Sequence, residues 1–171
     1  EFLSPNFETL ILTKQGEKRL INWSNIFVYD NKNKIAGVTS IGEDITSKKR
    51  IITELIESKN NLQDLFDNAN EIIQSLDANG NFIFVNKAWC KSLGYSALEA
   101  RKLNIFDLIH EDDIIHCKKQ QELVVKNKGK SISIETRLVG KKGNIVYLKG
   151  SSNSNYINEN ISSIRSIFLD V

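Results

Sequence analysis

The chain has 171 residues, a length between one and two average domains, and its 40% hydrophobic and 26% charged residues are typical of globular proteins. Its 23 basic and 21 acidic residues form no broad basic excess, so nucleic-acid binding is not expected. No apolar run reaches the roughly 20 residues of a membrane helix and no secretory signal occurs. We therefore expect a soluble, cytoplasmic fragment without membrane contact, whose parent is either soluble or membrane-anchored elsewhere.

Three extended segments come first in the chain. Residues 7–13, 18–29 and 35–41 have the alternation and the β-branched content of strands. The first connection contains Gly16 and the second, residues 30–34, is wholly polar, as expected of turns. These segments predict a three-stranded antiparallel meander.

A helix is predicted next, over residues 46–68, because this stretch has no Gly or Pro and apolar residues recur at helical spacing. A heptad seam has six apolar positions, which are Ile45, Ile52, Leu55, Leu62, Phe66 and Ala69. Its other two positions hold Lys48 and Lys59. The pattern permits a short coiled coil. An amphipathic linker helix packed on a neighbouring sheet is the alternative.

The remaining residues predict two strands, a helical stretch and three more strands. The first two strands, residues 72–77 and 82–86, are joined by Asn79-Gly80, a strong hairpin signal. The helical stretch begins with residues 86–93, a capping box at Ser96–Glu99 and a turn at 107–109. It ends with a longer helix from Asp112 or Asp113 to about Lys128. The last strands are residues 132–139, 145–152 and 162–170.

Residues 134–171 repeat residues 7–45. Glu8-Thr9 match Glu135-Thr136 at an offset of 127 residues, and after one deletion Ser40 matches Ser166 at an offset of 126. Solenoid repeats are much shorter, at roughly 20–50 residues, so this period is that of whole domains in tandem. We expect a complete α+β domain, with a five-stranded antiparallel sheet and helices on one face, preceded by the last three strands of another such domain.

The order of these elements and their motifs resemble the PAS family of sensor domains. In chain order the motifs are Asp77-Ala78-Asn79-Gly80, Phe84-Val85-Asn86-Lys87-Ala88, Leu93-Gly94-Tyr95-Ser96, His110-Glu111-Asp112-Asp113 and Lys141-Lys142-Gly143. The resemblance covers residues 62–171, and the last three strands are echoed in residues 7–45. It implies a truncated PAS domain at 1–45, a linker helix at 46–68 and a complete PAS domain at 69–171.

The first copy ends in Asp44-Ile45-Thr46, which resembles the Asp-Ile-Thr exit signature of PAS domains. The Asp44 carboxylate and the Thr46 hydroxyl can accept hydrogen bonds from free N–H groups at a helix start, so the angle between strand and helix would be fixed. We predict a signal junction at these three residues. Because the first copy lacks two strands, we also expect residues 7–43 to pack on the complete domain or on a second chain.

The resemblance also implies a ligand pocket between the inner face of the sheet and the helices. Its predicted lining is Phe84, Leu93, Leu103, Ile105, Phe106, Ile109, Leu123, Ile134, Thr136, Leu138 and Ser166. Thr136 and Ser166 are the polar candidates for ligand contact. Alternatively, the apolar side chains fill the pocket themselves.

Cofactor chemistry has weak support in the sequence. His116 is a weak haem candidate on the long helix, since haem requires an axial ligand. Cys90 and Cys117 lack the sequence context of a flavin-binding cysteine and form no Cys-x-x-Cys pair, so neither a flavin nor a metal site is predicted. We expect no tightly bound cofactor, no catalytic residue and no metal.

The resemblance implies a non-catalytic relay in a multidomain signalling protein, and a sensor histidine kinase of a two-component system is the leading parent. The PAS region of a diguanylate cyclase is the alternative parent. A cofactor-free dimerisation or scaffolding module is the rival of a different class, and a haem or flavin redox sensor is a third. The expected partners are a second copy of the chain, contacted through the linker helix or the sheet, a downstream kinase or cyclase domain, and a small-molecule ligand.

Overall fold

The computed structural model describes residues 6–171, which divide into two compact units between Asn61 and Leu62. The first unit contains a three-stranded antiparallel sheet in the order β1-β2-β3. Its strands are β1 (Asn6–Leu12), β2 (Lys18–Tyr29) and β3 (Ile35–Asp44). They agree with the predicted meander, and Gly16 takes the positive φ of 82° that its tight turn requires.

Helix α1 (Thr46–Asn68) follows β3 and crosses the division between the units. None of its residues, all of which the structure describes, is buried. Seven of its large apolar side chains are exposed, and these are Ile51, Ile52, Leu55, Ile56, Leu62, Leu65 and Phe66. An apolar helix surface of this extent is typical of a contact surface. Within residues 6–171, no helix is both long and apolar enough to cross a membrane.

The second unit has the predicted α+β architecture, with a five-stranded antiparallel sheet in the order β5-β4-β8-β7-β6. The strands are β4 (Ile72–Leu76), β5 (Phe82–Val85), β6 (Ile132–Val139), β7 (Ile145–Ile157) and β8 (Asn160–Asp170). Between β5 and β6 lie α2 (Lys87–Leu93), α3 (Ala97–Ala100), α4 (Ile105–Leu108), a 3-10 turn (Glu111–Asp113) and α5 (Ile114–Lys126). Because β8 lies between β4 and β7, the last strand of the chain is central.

Short-range capping positions the helices over the sheet. Gly94 ends α2 with a φ of 78°, as its sequence position predicts. Ser96 and Glu99 form the predicted capping box of α3. A second capping box, Asn104 with Asp107, begins α4 and was missed, because only a turn at 107–109 is predicted there.

The β7–β8 hairpin is longer than predicted. β7 continues to Ile157 rather than Ser152, and β8 begins at Asn160 rather than Ser162. Asn158 and Glu159 form the two-residue turn with positive φ values of 48° and 65°. The run of serines and asparagines in this part of β7 hides the strand, since its one buried side chain is Ser154 rather than an apolar residue.

The core of the second unit lies between the sheet and the helices. Trp89 and Leu93 of α2 are fully buried, and Trp89 makes an edge contact with Phe82 at 5.1 Å between ring centroids. From the sheet, Ile72, Leu138 and Leu148 are among the most buried side chains. Because this one cluster joins strands and helices, it fixes the helical layer against the sheet.

Candidate functional site

A cavity of about 60 Å³ lies in the second unit between the inner face of the sheet and helices α4 and α5. Its apolar lining consists of Leu76, Ile105, Phe106, Ile109, Val124, Ile134, Leu138, Leu148, Ile164 and Phe168. Its polar or sulfur-bearing lining consists of Gln74, Cys117, Gln121, Thr136, Ser152 and Ser166. None of these lining side chains, all within the described part of the chain, is charged.

The polar groups on the sheet side of the cavity are held by hydrogen bonds. Ser152 and Ser166 face each other across β7 and β8, with 2.6 Å between their hydroxyl oxygens. The amide oxygen of Gln74 accepts a hydrogen bond from the Trp89 indole at 3.0 Å. Because these residues are buried and hydrogen-bonded, they present hydroxyl and amide groups in fixed positions.

The helix side of the cavity contributes a thiol that remains protonated at neutral pH. The Cys117 sulfur lies 3.1 Å from the Thr136 hydroxyl. Burial, reinforced by the nearby Asp113 carboxylate, raises the pKa of the Cys117 thiol although the Thr136 contact opposes the shift. A thiolate is therefore disfavoured, so the chemistry of the cavity is that of neutral hydrogen-bonding groups.

Polar contacts at both ends hold α5 against the sheet. At its start, Asp113 accepts hydrogen bonds from the Arg137 guanidinium at 2.7 and 3.0 Å, which lower the pKa of Asp113 to about 2. At its end, the Tyr156 hydroxyl donates to the Val125 carbonyl at 2.6 Å, and Ser154 donates to the Val124 carbonyl at 2.8 Å. These bonds place the cavity-facing side of α5.

Seven of the eleven predicted pocket residues line this cavity: Ile105, Phe106, Ile109, Ile134, Thr136, Leu138 and Ser166. Four do not. Leu93 is fully buried in the core and Leu103 packs against that core. Phe84 instead contacts Phe66 of α1, with 5.8 Å between ring centroids, and Leu123 is 45% exposed.

The difference on α5 follows from helical periodicity. Cys117, Gln121 and Val124 line the cavity and lie at i, i+4 and i+7 on one face of the helix. Leu123 and His116 lie on the adjacent face, and both are exposed. His116 therefore does not line the cavity, and its Nε2 is 3.5 Å from the side-chain amide nitrogen of Gln120.

Nine further residues line the cavity and were not predicted from the sequence. They are Gln74, Leu76, Cys117, Gln121, Val124, Leu148, Ser152, Ile164 and Phe168. Those on β4, β7 and β8 could have been predicted from the alternation of side chains along a strand, because residues two apart in a strand lie on the same face. Once Ser166 is placed inward, Ile164 and Phe168 follow by this rule.

The residues of the predicted signal junction are connected by a network of hydrogen bonds within the first unit. The Thr46 amide donates to the Asp44 carboxylate at 2.9 Å, and the Thr46 hydroxyl accepts a hydrogen bond from the Leu20 amide at 2.8 Å. The Ile45 amide donates to the Leu20 carbonyl at 2.9 Å. Hydrogen bonds from the Thr46 hydroxyl and amide lower the pKa of Asp44. The start of α1 is thereby tied to β2, the strand next to the one it leaves.

The side chain of Ile45 and a guanidinium complete the junction. Ile45 is only 6% exposed, whereas the apolar residues that follow it on α1 are exposed. Arg19 lies between two acids, at 3.3 Å from Asp44 and 2.6 Å from Glu17. An apolar anchor with a surrounding polar network fixes the direction in which the helix leaves the sheet.

The five-stranded antiparallel sheet and its covering helices form an α+β domain with a cavity between the two layers. A family model for the PAS fold matches residues 60–159, more than half of the chain, and the chain belongs to the PAS family. PAS domains are generally non-catalytic sensory modules that sit in multidomain sensor proteins and commonly dimerise. No curated protein sequence matches the chain.

Solved structures show the same fold. The PAS domain of an HTR-like protein from Haloarcula marismortui is 22% identical, with a TM-score of 0.63, and the match covers 72% of this chain and 99% of that one. A domain of a sensory box sensor histidine kinase/response regulator from Geobacter sulfurreducens is 23% identical, with a TM-score of 0.55 over 68% and 96% of the two chains. A PAS-B variant of Drosophila melanogaster Cycle with bound glycerol is 14% identical, with a TM-score of 0.55 over 58% and 99%.

Proposed function

We propose that the second unit is a sensor domain that binds a small uncharged molecule in the cavity between sheet and helices. The observation that carries this proposal is the lining, which combines apolar walls with hydroxyl, amide and thiol groups and contains no charge within the described residues. An ionic ligand would be desolvated there without a counter-charge. A cavity of about 60 Å³ has room for a ligand with only a few non-hydrogen atoms. The glycerol bound in the Cycle PAS-B structure is of this class.

Ser152→Val is expected to abolish binding of glycerol or ethylene glycol to the cavity, because it replaces a lining hydroxyl with two methyl groups that also reduce the cavity volume. Ser151→Val is the matched control, since Ser151 is the adjacent residue of β7 and does not line the cavity. In ¹⁵N NMR titrations, we expect the amides of Thr136, Ile164 and Ser166 to shift in the unsubstituted protein and in the control. Equal binding by both variants would contradict this site.

We propose that α1 and the junction pass the state of one sensor unit to the next. The fixed exit at Asp44, Ile45 and Thr46 supports this role, since a distortion of the sheet would move the helix rather than bend the joint. The first unit would then be the last three strands of a second PAS domain. The Ser40 hydroxyl donates to the Asn25 side-chain oxygen at 2.6 Å, at the positions that correspond to Ser166 and Ser152.

Thr46→Val is expected to loosen the junction, because valine has nearly the same shape but cannot accept the hydrogen bond of the Leu20 amide. Hydrogen exchange at the Leu20 and Ile45 amides should accelerate by roughly tenfold. The control is Thr53→Val in the middle of α1, where the hydroxyl donates only to the Lys49 carbonyl. Unchanged exchange at Leu20 would show that the bond does not stabilise the joint.

We propose that the chain forms a homodimer through a parallel coiled coil of α1. The exposed apolar side chains of α1 and the heptad seam support this contact. Leu62→Lys places a charge in the seam and should weaken the dimer by at least roughly tenfold. Asn60→Lys adds the same charge outside the seam and should not. Sedimentation velocity across a concentration series measures both, and equal dissociation would favour another surface, such as the sheet.

The parent that fits these features is a cytoplasmic sensor histidine kinase of a two-component system, because solved domains from such kinases share the fold. A diguanylate cyclase is the alternative parent. A scaffolding module is the alternative class, and it would be favoured if the cavity binds no small molecule. Autophosphorylation of the full-length protein on a histidine tests the kinase assignment, and a cyclase domain in the same reading frame would overturn it.

A further inference from the structure

A second and larger cavity lies elsewhere in the second unit, as an open groove of about 340 Å³. Its lining residues come from the end of α1, from β5 and from α2 and α3 with the residues next to these helices. It shares no lining residue with the interior cavity within the described chain. Its volume is within the roughly 300–1,000 Å³ typical of small-molecule sites.

The walls of this groove are held in place by Asn86, which is fully buried. The Asn86 amide group donates to the Phe66 carbonyl at 3.0 Å and to the Glu71 carbonyl at 2.8 Å. Its side-chain oxygen accepts hydrogen bonds from the amides of Ile73 and Trp89, both at 3.0 Å. These four bonds join the end of α1, the start of β4 and the start of α2, so the groove is preformed.

The floor of the groove is apolar and uncharged. Phe82, Val85 and Ala100 are buried, and Phe84 and Ala97 extend the apolar surface. Burial, and then the Asp67 carboxylate, raises the pKa of the Cys90 thiol, so this group also stays neutral. An apolar side chain of a ligand can therefore be buried here without meeting a charge.

Charges of both signs stand around this floor. Asp67 accepts a hydrogen bond from Gln63 at 3.2 Å. Lys87 and Arg101 are exposed, and neither makes an ion pair with any residue that the structure describes. By contrast, nearby Lys141 pairs with Glu99 at 2.6 Å. The groove thus offers one carboxylate and two cationic groups to a ligand, and the two cationic groups are not engaged in ion pairs with described residues.

We propose that this groove binds a free α-amino acid with an apolar side chain. Its ammonium group would pair with Asp67, its carboxylate with Arg101 and Lys87, and its side chain would cover the apolar floor. A phosphate or other dianion would leave Asp67 unpaired beside its negative charge, and a simple amine would leave the two cations unpaired. Arginine suits the carboxylate because its planar fork can form two parallel hydrogen bonds.

The test is a calorimetric titration of the 171-residue chain with L-leucine and with two analogues that each lack one charge. These are 4-methylpentanoate, which has no ammonium group, and 3-methylbutylamine, which has no carboxylate. We expect leucine to bind and each analogue to bind at least roughly tenfold more weakly, as expected for the loss of one charged hydrogen-bonded contact. Amide shifts in NMR should cluster at Val85, Cys90 and Arg101.

Variants locate the site. Arg101→Ala and Asp67→Asn should each weaken leucine binding by at least roughly tenfold. Lys91→Ala, which removes an exposed lysine of α2 outside the groove, should not, and neither should Ser152→Val in the interior cavity. The proposal is overturned if leucine, valine, isoleucine and phenylalanine all fail to bind at millimolar concentration. It is equally overturned if 4-methylpentanoate binds as well as leucine, or if the shifts cluster around the interior cavity.

Discussion

Gly150→Ala is expected to lower the free energy of unfolding of the second unit by about 3 kcal/mol or more, which is among the larger effects of a single substitution. A Cβ atom at this position would overlap the carbonyl oxygen of Ile167 and lie 2.8 Å from the Cα of Phe168. Both neighbours belong to the backbone of β8, the central strand of the sheet. Backbone atoms cannot rotate away, so the β7–β8 pairing would have to separate.

Urea unfolding followed by the fluorescence of Trp89, in a Trp23→Phe background, measures this effect in the second unit alone. Asn153→Ala is the control, because Asn153 is an exposed residue of the same strand, β7. It should change the free energy of unfolding by less than about 1 kcal/mol. A stable Gly150→Ala protein with an unchanged urea midpoint would show that the two strands can spread without cost.

Gly150 also shows what the tandem repeat conceals. In the second unit Gly150 of β7 pairs with Phe168 of β8, and at the matching positions of the first unit Trp23 of β2 pairs with Gly42 of β3. A Cβ on Gly42 would lie 2.9 Å from the Trp23 ring. The aromatic residue and the glycine have therefore exchanged strands. The two copies therefore differ at each of these aligned positions, whereas both keep one aromatic residue paired with one glycine.

The sequence predicted the elements where local signals are strong. Gly80 and Gly94 mark the first hairpin and the end of α2, and both have the positive φ that only glycine adopts readily. It failed in the part of β7 after Ser152, where Ser154 is buried but resembles a loop residue. The Ser154 hydroxyl donates to the Val124 carbonyl, which is distant in sequence. Such long-range hydrogen bonds leave no periodic signal.

The cavity was less predictable than the fold for a related reason. The resemblance placed lining residues on or beside α4, β6 and β8 but none on β4 or β7. The exact face of α5 depends on how Asp113 and Tyr156 hold that helix. If α5 were rotated about its axis by one residue, Leu123 rather than Val124 would face the cavity. The groove beside β5 was not predicted from the sequence, because its lining is spread over four elements.

Asn86→Ala is expected to destabilise the second unit by about 4 kcal/mol, since each of four backbone groups would lose its buried partner at a cost of roughly 1 kcal/mol or more. Asn153→Ala is the matched control, because Asn153 is exposed on β7. Urea unfolding monitored by Trp89 fluorescence again gives the difference. A loss below about 1 kcal/mol would show that water replaces the amide.

Asn86→Ala should also release the last turn of α1 before the unit unfolds. The Phe66 carbonyl would lose its side-chain partner, so the amides of residues 66–71 should exchange faster than those of the central strands at low urea. This local effect separates the two consequences of the substitution. Asn86 joins the end of α1 to the sheet through its hydrogen bonds to Phe66 and Ile73. If α1 relays a signal into the second unit, removal of the Asn86 side chain should uncouple the helix from the sheet in protein that is still folded. Exchange that accelerates equally in all elements would instead make Asn86 a determinant of global stability alone.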